Sequence, residues 1–392
     1  MSSKRAIDLR LGGMPRRAMR ESFDPSRRAR GDEGPLSIAQ VAPLHESVPP
    51  KLYGGTERIV SYLTEELVAQ GHDVTLFASG DSITSARLVP ATSRSLRLDE
   101  SCRDPLARHM VLLEMVFRQS ERFDLIHFHC DYLHYPLSRR MAVPTLTTLH
   151  GRLDLSDLVP LYREFSDMPL VSVSDAQRLP LPWAHWLTTV HHGLPISFGT
   201  RRVESGDTLA FLGRISPEKR VDRAIEIALR AGMRLRIAAK VDPQDRIYFE
   251  EVIRPLLGHP SVEFLGEIGE EEKERFLGEA HALLFPIDWP EPFGLVMIEA
   301  MACGTPVIAF RRGSVPEVIE EGVTGFVVET VEEAALAVER VGGLKRRRCR
   351  EVFEARFTSK RMAEDYIAAY RRLPGEGRMS HLPERWDQTV AE

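Results

Sequence analysis

Only four cysteines occur in 392 residues, and Cys102, Cys130, Cys303 and Cys349 form no CxxC pair. That spacing argues against a disulfide framework or a zinc site and suits reduced thiols in a cytosol. No apolar run approaches the roughly 18–20 residues that span a bilayer. Met1 to Gly34 is polar and Arg-rich with no apolar stretch, so no signal peptide is expected. An excess of positive charge is also missing. The formal net charge is −5, which argues against a general nucleic-acid binder. Neither half opens on a GxGxxG turn, so a dinucleotide-dependent oxidoreductase is poorly supported.

What is there is an ordinary globular composition, 43% hydrophobic and 28% charged, in a chain long enough for two domains. Residues 1–35 carry glycines, prolines and repeated arginines with almost nothing to bury, and read as a disordered basic arm. A solvated tail is the plain reading; contact with an anionic membrane surface is the alternative. From Leu36 onward short apolar runs alternate with helical patterns. Strands are expected over 37–42, 73–78, 124–129, 145–150 and 170–173. A helix is expected from Thr56, as its cap, to Gln70, with Ile59, Val60, Leu63 and Leu67 as its stripe and Gly71 as its left-handed stop. The same grammar restarts after a polar linker at 199–207. Further strands are expected over 208–212, 235–239, 262–265, 282–285, 306–310 and 325–328, with helices over 220–230 and 245–257. Such alternation implies parallel sheets covered by helices. The expected organisation is two doubly wound α/β domains, 36–200 and 201–358, a closing helix over 359–373 and a tail over 374–392. The closing helix carries Met362, Ile367 and Tyr370, a stripe that needs a surface to cover.

Ligands of open α/β sheets bind at the carboxyl ends of strands near the switch point, which directs attention to the cleft between the domains. Two stretches there carry chemistry. In Phe211-Leu212-Gly213-Arg214-Ile215-Ser216-Pro217-Glu218-Lys219-Arg220 a strand ends at a glycine, and Arg214 and Lys219 precede a helix. A planar guanidinium and a compact ammonium suit the oxygens of a diphosphate; pairing with Glu218 and Asp222 at a solvated helix start is the competing explanation. In Pro290-Glu291-Pro292-Phe293-Gly294-Leu295-Val296-Met297-Ile298-Glu299 a helix opens near Leu295. The amides of Phe293, Gly294 and Leu295 would point out of its start as donors to an anion or hydroxyl, and Glu291 and Glu299 would accept from sugar hydroxyls. The alternatives are a capping role for Glu291 and surface charge for Glu299, although Glu299 lies among apolar residues where an unpaired carboxylate is costly.

These residues resemble a known family. Glu291 to Glu299 matches the E-x7-E signature of retaining glycosyltransferases of the GT-B fold, and the chain is similar to family 4 (group 1) members over about residues 36–372. Gly213-Arg214 with Lys219, Tyr53-Gly54-Gly55-Thr56-Glu57, Met301 to Ala309, Gly313 to Ile319 and Gly322 to Phe326 extend the match. The resemblance implies that Arg214 and Lys219 hold the donor's diphosphate and that Gly54 and Gly55 approach it from the N-terminal domain. It implies that Glu299 binds the ribose, that Glu291 with the Phe293 and Gly294 amides binds the transferred sugar, and that the base lies against Gly266-Glu267-Ile268. His150, in Thr148-Leu149-His150-Gly151, matches a family histidine beside the reacting sugar; without the family it reads as a structural strand-end histidine. The last helix would cross back onto the N-terminal domain. Arg220 departs from the pattern, standing where relatives often have glycine.

The activity so implied is transfer of a hexose from a UDP- or GDP-linked donor to an acceptor hydroxyl, with retention and without a metal or resident cofactor. No Asp-x-Asp motif follows a strand, and His127 and His129, which flank Phe128, read as cleft lining or core rather than a metal pair. Expected partners are the nucleotide sugar and an acceptor that is a glycan, a lipid-linked glycan or a small molecule. The expected location is cytoplasmic, with a peripheral seat at the inner membrane face as the alternative. Competing readings are a glycosidase using Glu291 and Glu299 as an acid–base pair, a GT-B epimerase or phosphorylase, and a non-catalytic nucleotide-sugar binder.

Overall fold

In the computed structural model, which describes residues 34–200 and 206–373, the strands assemble into two parallel sheets. The basic arm, residues 201–205 of the linker and the tail expected over 374–392 lie outside the described residues. The first sheet contains β1 (Ser37–Val41), β2 (Asp73–Ser79), β3 (Arg87–Thr92), β4 (Leu125–Phe128), β5 (Thr145–Thr148), β6 (Leu170–Ser172) and β7 (Trp186–Thr189) in the order β3-β2-β1-β4-β5-β6-β7. The second contains β8 (Thr208–Ile215), β9 (Arg234–Val241), β10 (Val262–Gly266), β11 (Ala282–Phe285), β12 (Val307–Phe310) and β13 (Gly325–Val328) in the order β10-β9-β8-β11-β12-β13. Both orders reverse direction beside the first strand of the sheet, between β1 and β4 and between β8 and β11. Loops leaving the carboxyl ends there diverge and leave a crevice. Both sheets belong to one compact unit that begins at Pro35.

The central strands are buried on both faces: β4, β5, β11 and β12 expose almost nothing, as parallel strands under helices must. The closing helix, Ser359–Arg372, buries Met362, Ala363, Tyr366, Ile367 and Tyr370 in the same apolar cluster as Ile38, Leu63, Leu125 and Leu146 of the first sheet and its helix. Burial of that many side chains, at about 25 cal/mol per Å² of apolar surface, holds the helix on the N-terminal lobe. Its cap, Thr358, accepts from the Arg361 amide, and a bridge joins Leu194 to Thr358.

Several local expectations are corrected. The helix after β1 runs Gly55–Ala69; its cap is Gly54, not Thr56, which sits inside the first turn. Gly54 has φ 155°, and a Cβ there would lie 2.8 Å from Pro50 Cβ, so no side chain fits at the cap. Gly71 does adopt a left-handed φ of 87°. Strand β8 does not end at Leu212. It continues through Gly213, Arg214 and Ile215 because β9 pairs with it residue for residue, Gly213 with Ala239 and Arg214 with Lys240. The continuous helix expected over 245–257 is broken into short turns, Arg246–Tyr248, Phe249–Ile253 and Arg254–Gly258. Pro255 has no N–H to give to the preceding turn. The edge strands β3 and β7 and the helices Pro105–Phe117, Val331–Arg340 and Arg346–Arg356 were not anticipated.

Candidate active site in the cleft

Both lobes present their switch-point loops to a common boundary, and contacts cross it. The Tyr53 amide donates to Glu267 Oε1 at 3.0 Å, Arg58 pairs with Glu270, and the Tyr62 hydroxyl donates to Glu270 Oε1 at 3.0 Å. Gly55 faces Leu295: a Cβ on the glycine would come within 3.5 Å of Leu295 Cδ1. The Asp175 and Ala176 amides donate to Glu317 at 2.8 and 2.7 Å.

On the C-terminal side Arg214 stands at the end of β8, partly buried, with its guanidinium near Glu218, Asp242 (3.6 Å) and Asp245 (3.7 Å). The competing explanation for Arg214 is therefore present as an ion pair with Glu218, whereas Asp222 pairs with Arg220 instead. Lys219 Nζ pairs with Glu291 Oε2, and the Trp289 indole donates to the same oxygen at 2.8 Å. Both bonds fall on Oε2; Oε1 takes neither. Glu291 is 8% exposed and does not cap the helix that follows. The ammonium also lies 5.1 Å from the Trp289 ring centroid and 5.6 Å from that of Phe285, an aromatic floor that favours a cation.

The helix Leu295–Ala302 begins at Gly294, whose φ of 78° is left-handed. A Cβ there would meet Met297 Cε at 2.8 Å and Phe285 Cζ at 3.0 Å, so the start carries no capping side chain. Its first amides have no carbonyl one turn back to bond. Glu299, one turn in and 4% exposed, is not surface charge: Lys273 Nζ donates to its Oε1 at 2.7 Å. A Cβ at Gly213 would meet nothing closer than Phe211 Cε1 at 3.9 Å, so there is open space at the strand end. Ile268 follows β10 and packs, partly buried, against the core cluster that contains Phe293.

On the N-terminal side His150 follows β5. Its Nε2 lies 2.9 Å from His129 Nδ1, while its Nδ1 is buried without a hydrogen-bond partner. His192 stacks on it at 5.3 Å and meets Phe293 of the other lobe edge-on at 4.9 Å. Burial drives the His150 pKa down to about 3 and holds His127, His129 and His192 well below the usual imidazole range, each helped by neighbouring histidines. These rings are neutral. His127 and His129 are buried, bonded to Tyr370, Thr148, Gln40 and His150. Among the described residues no group of three or more His, Cys, Asp or Glu side chains is arranged to hold a metal.

The predicted residues thus collect on facing walls: Arg214, Lys219, Glu291, Phe293, Gly294, Leu295 and Glu299 on one, Gly54, Gly55 and His150 on the other. Sequence reasoning missed Lys273, Trp289, Gln40, His192 and Glu270. Trp289 is two residues from Glu291, a signal in plain view. Lys273 is the lone cation of the run Glu270 to Glu274, but nothing in its spacing announces a partner 26 residues away. Among the described residues Arg220 proves to be one of two non-glycine residues with positive φ, 54°, at the cap of the helix Val221–Arg230. That conformation is why glycine suits the position.

Comparison with known proteins identifies the family. Residues 53–194 match the model of glycosyltransferase family 4, and residues 196–349 that of glycosyl transferases group 1. Glycogen synthase of Mycobacterium tuberculosis is 26% identical over 388 residues, covering 82% of this chain and 93% of the relative. D-inositol 3-phosphate glycosyltransferase of Mycobacterium leprae is 27% identical over 318 residues, 65% of this chain and 70% of the relative. The crystal structure of AviGT4, a glycosyltransferase involved in avilamycin A biosynthesis, aligns with a TM-score of 0.67 at 25% identity over 87% of this chain and 99% of that one. HepE of Anabaena, solved with UDP and glucose, aligns with a TM-score of 0.66 at 18% identity over 85% and 98%.

Proposed function

Since the chain belongs to the family 4 (group 1) glycosyltransferases of the GT-B fold, we propose that it moves a hexose from a UDP- or GDP-linked donor to an acceptor hydroxyl with retention of anomeric configuration and without a metal. The observation that carries this reading is the convergence of Arg214 and Lys219 with Glu291 and the uncapped Leu295–Ala302 helix at the β8/β11 switch point, opposite His150. The diphosphate would lie on Arg214, Lys219 and the Gly54-Gly55 turn, taking over the cations that Glu218 and Glu291 hold in this structure. A ribose would bond the carboxylate of Glu299, and the hexose the free oxygen of Glu291 with the amides of Phe293 and Gly294. The base would rest along Gly266-Glu267-Ile268. HepE, of like fold, was solved with UDP-glucose, a ligand of the proposed class.

Breaking the bond between the anomeric carbon and the phosphate leaves negative charge on the phosphate and positive charge on the ring. In this reading Arg214, Lys219 and the first-turn amides, once on the diphosphate, stabilise the negative charge as it grows. In the proposed route the acceptor oxygen bonds the anomeric carbon on the face from which the phosphate departs, and the acceptor's proton passes to the departing phosphate oxygen. Glu291 and Glu299 serve as acceptors for hydroxyls in this route, which forms no covalent intermediate on the protein. A thermal-shift screen of UDP-, GDP- and ADP-sugars tests the donor class, because a ligand of the native state raises apparent stability. The expected result is a shift with one UDP- or GDP-sugar; no shift with any contradicts the reading. NMR of the product's anomeric centre tests retention, and an inverted product contradicts it.

A further inference from the structure

One polar network joins the closing helix to the cleft. Gln40 Nε2, next to the carboxyl end of β1, donates to the Tyr370 hydroxyl at 3.0 Å, and that hydroxyl lies 2.8 Å from His127 Nδ1. His127 Nε2 lies 2.7 Å from Thr148 Oγ1, which lies 2.9 Å from the Tyr366 hydroxyl. The other atom of the Gln40 amide, Oε1, is 2.9 Å from His129 Nε2, and His129 Nδ1 is 2.9 Å from His150 Nε2. His150 Nδ1 ends the chain, buried and unpartnered.

The network has a direction. A neutral imidazole carries one proton and one lone pair. Gln40 Oε1 only accepts, so the proton of His129 is on Nε2 and its Nδ1 is a lone pair. That lone pair is met by the N–H of His150 at Nε2, which leaves His150 Nδ1 bare. On the far side the same direction satisfies every group: Tyr370 donates to His127 Nδ1, and His127 donates from Nε2 to Thr148. Turning the Gln40 amide over would reverse each bond and leave an N–H at His150 Nδ1 buried without a partner. An orphaned buried N–H is rarer and costlier than an unmet lone pair.

We propose that Gln40, acting through His129, is a positioning residue that fixes His150 as a hydrogen-bond acceptor at Nδ1, and that this atom selects a donor sugar presenting a hydroxyl, rather than a carboxylate, to it. The selection rests on the seat of His150 beside the sugar given above; the relay itself does not. A hydroxyl gives its proton to the lone pair. A carboxylate offers only lone pairs of its own, so both acceptors stay unmet.

Two measurements on the full chain separate the halves. In protein labelled with 15N-histidine, with the His150 signals identified by their loss in His150→Asn, nitrogen NMR is expected to show His150 protonated at Nε2 and bare at Nδ1. The fixed tautomer is expected to give way to a mixture in Gln40→Met, which keeps the volume and removes the amide. A wild-type His150 protonated at Nδ1 overturns the relay whatever the enzyme transfers. Affinities for UDP-glucose against UDP-glucuronate, and for GDP-mannose against GDP-mannuronate, are expected to favour the neutral sugar of the recognised base by about 10–100-fold. That preference is expected to narrow in Gln40→Met. The expected tautomer together with equal affinities overturns the selection and traces the error to the seat of His150 at the sugar.

Discussion

The two walls of the cleft are built from opposite chemistry. The N-terminal wall is neutral: His127, His129, His150 and His192 are kept uncharged by burial and satisfied largely by Gln40, Thr148, Tyr366 and Tyr370. The C-terminal wall is ionic: Arg214, Lys219 and Lys273 are each seated on a carboxylate, and Glu291 and Glu299 are buried as partners of two of them. The difference teaches where each wall is vulnerable. Neutral imidazoles give direction without charge and are lost to acid. Ion pairs store charge for an anionic ligand and are lost when one partner is removed.

The sharpest separation comes from Arg214→Ala, expected to lower turnover by about 10²–10³-fold while thermal melting stays near the wild-type value. Unchanged transfer would mean that the ionic wall does not carry the leaving charge. Next, Lys273→Met leaves Glu299 buried without its cation and is expected to cost about 3 kcal/mol of stability by denaturant unfolding; pairing it with Glu299→Gln is expected to restore most of that. If the single variant is as stable as wild type, the pair is ornamental and the comparison loses its C-terminal half.

Acid tests the other wall. Each lowered imidazole pKa means that the unfolded chain binds a proton the fold refuses, so the stability is complete above the unfolded value of about 6.5 and falls as pH drops below it. At pH 5 each such histidine is expected to cost about 2 kcal/mol, seen as a falling melting temperature between pH 7 and 5 that His192→Phe flattens by one histidine's share. A flat profile would mean the rings titrate freely. The smallest effect is expected from Arg220→Gly. Relief of the left-handed φ offsets the loss of partly exposed pairs with Asp222 and Asp288, so unfolding free energy should change by less than about 1 kcal/mol.

The two walls were also unequally legible in the sequence. Arg214, Lys219, Glu291 and Glu299 lie within two short stretches, so local reading reached them. Buried central strands announced themselves as short apolar runs. The edge strands of the first sheet did not: β3 contains Pro90 and β7 is a short Trp-Leu-Thr-Thr, because an edge needs neither full burial nor every amide. The neutral wall was least legible. Gln40 and Tyr370 lie 330 residues apart and meet only because the closing helix returns to the first sheet. His127 and His129 were placed in the core or cleft, but their bonds depend on which strand is neighbour to β4, and spacing does not carry that. The end of β8 is not legible locally either, since pairing with β9 decides it and Gly213 invites a break.

The central claim is that the two walls grip one activated sugar between them, cations on its diphosphate and acids on its hydroxyls. A crystal structure of the protein with the UDP- or GDP-sugar picked out by the thermal-shift screen tests this most directly. The expected result places both phosphates within hydrogen-bond distance of Arg214 and Lys219, the ribose on Glu299 and the hexose between Glu291 and His150. A donor bound with its phosphates away from both cations, or lying on one lobe alone, would contradict it.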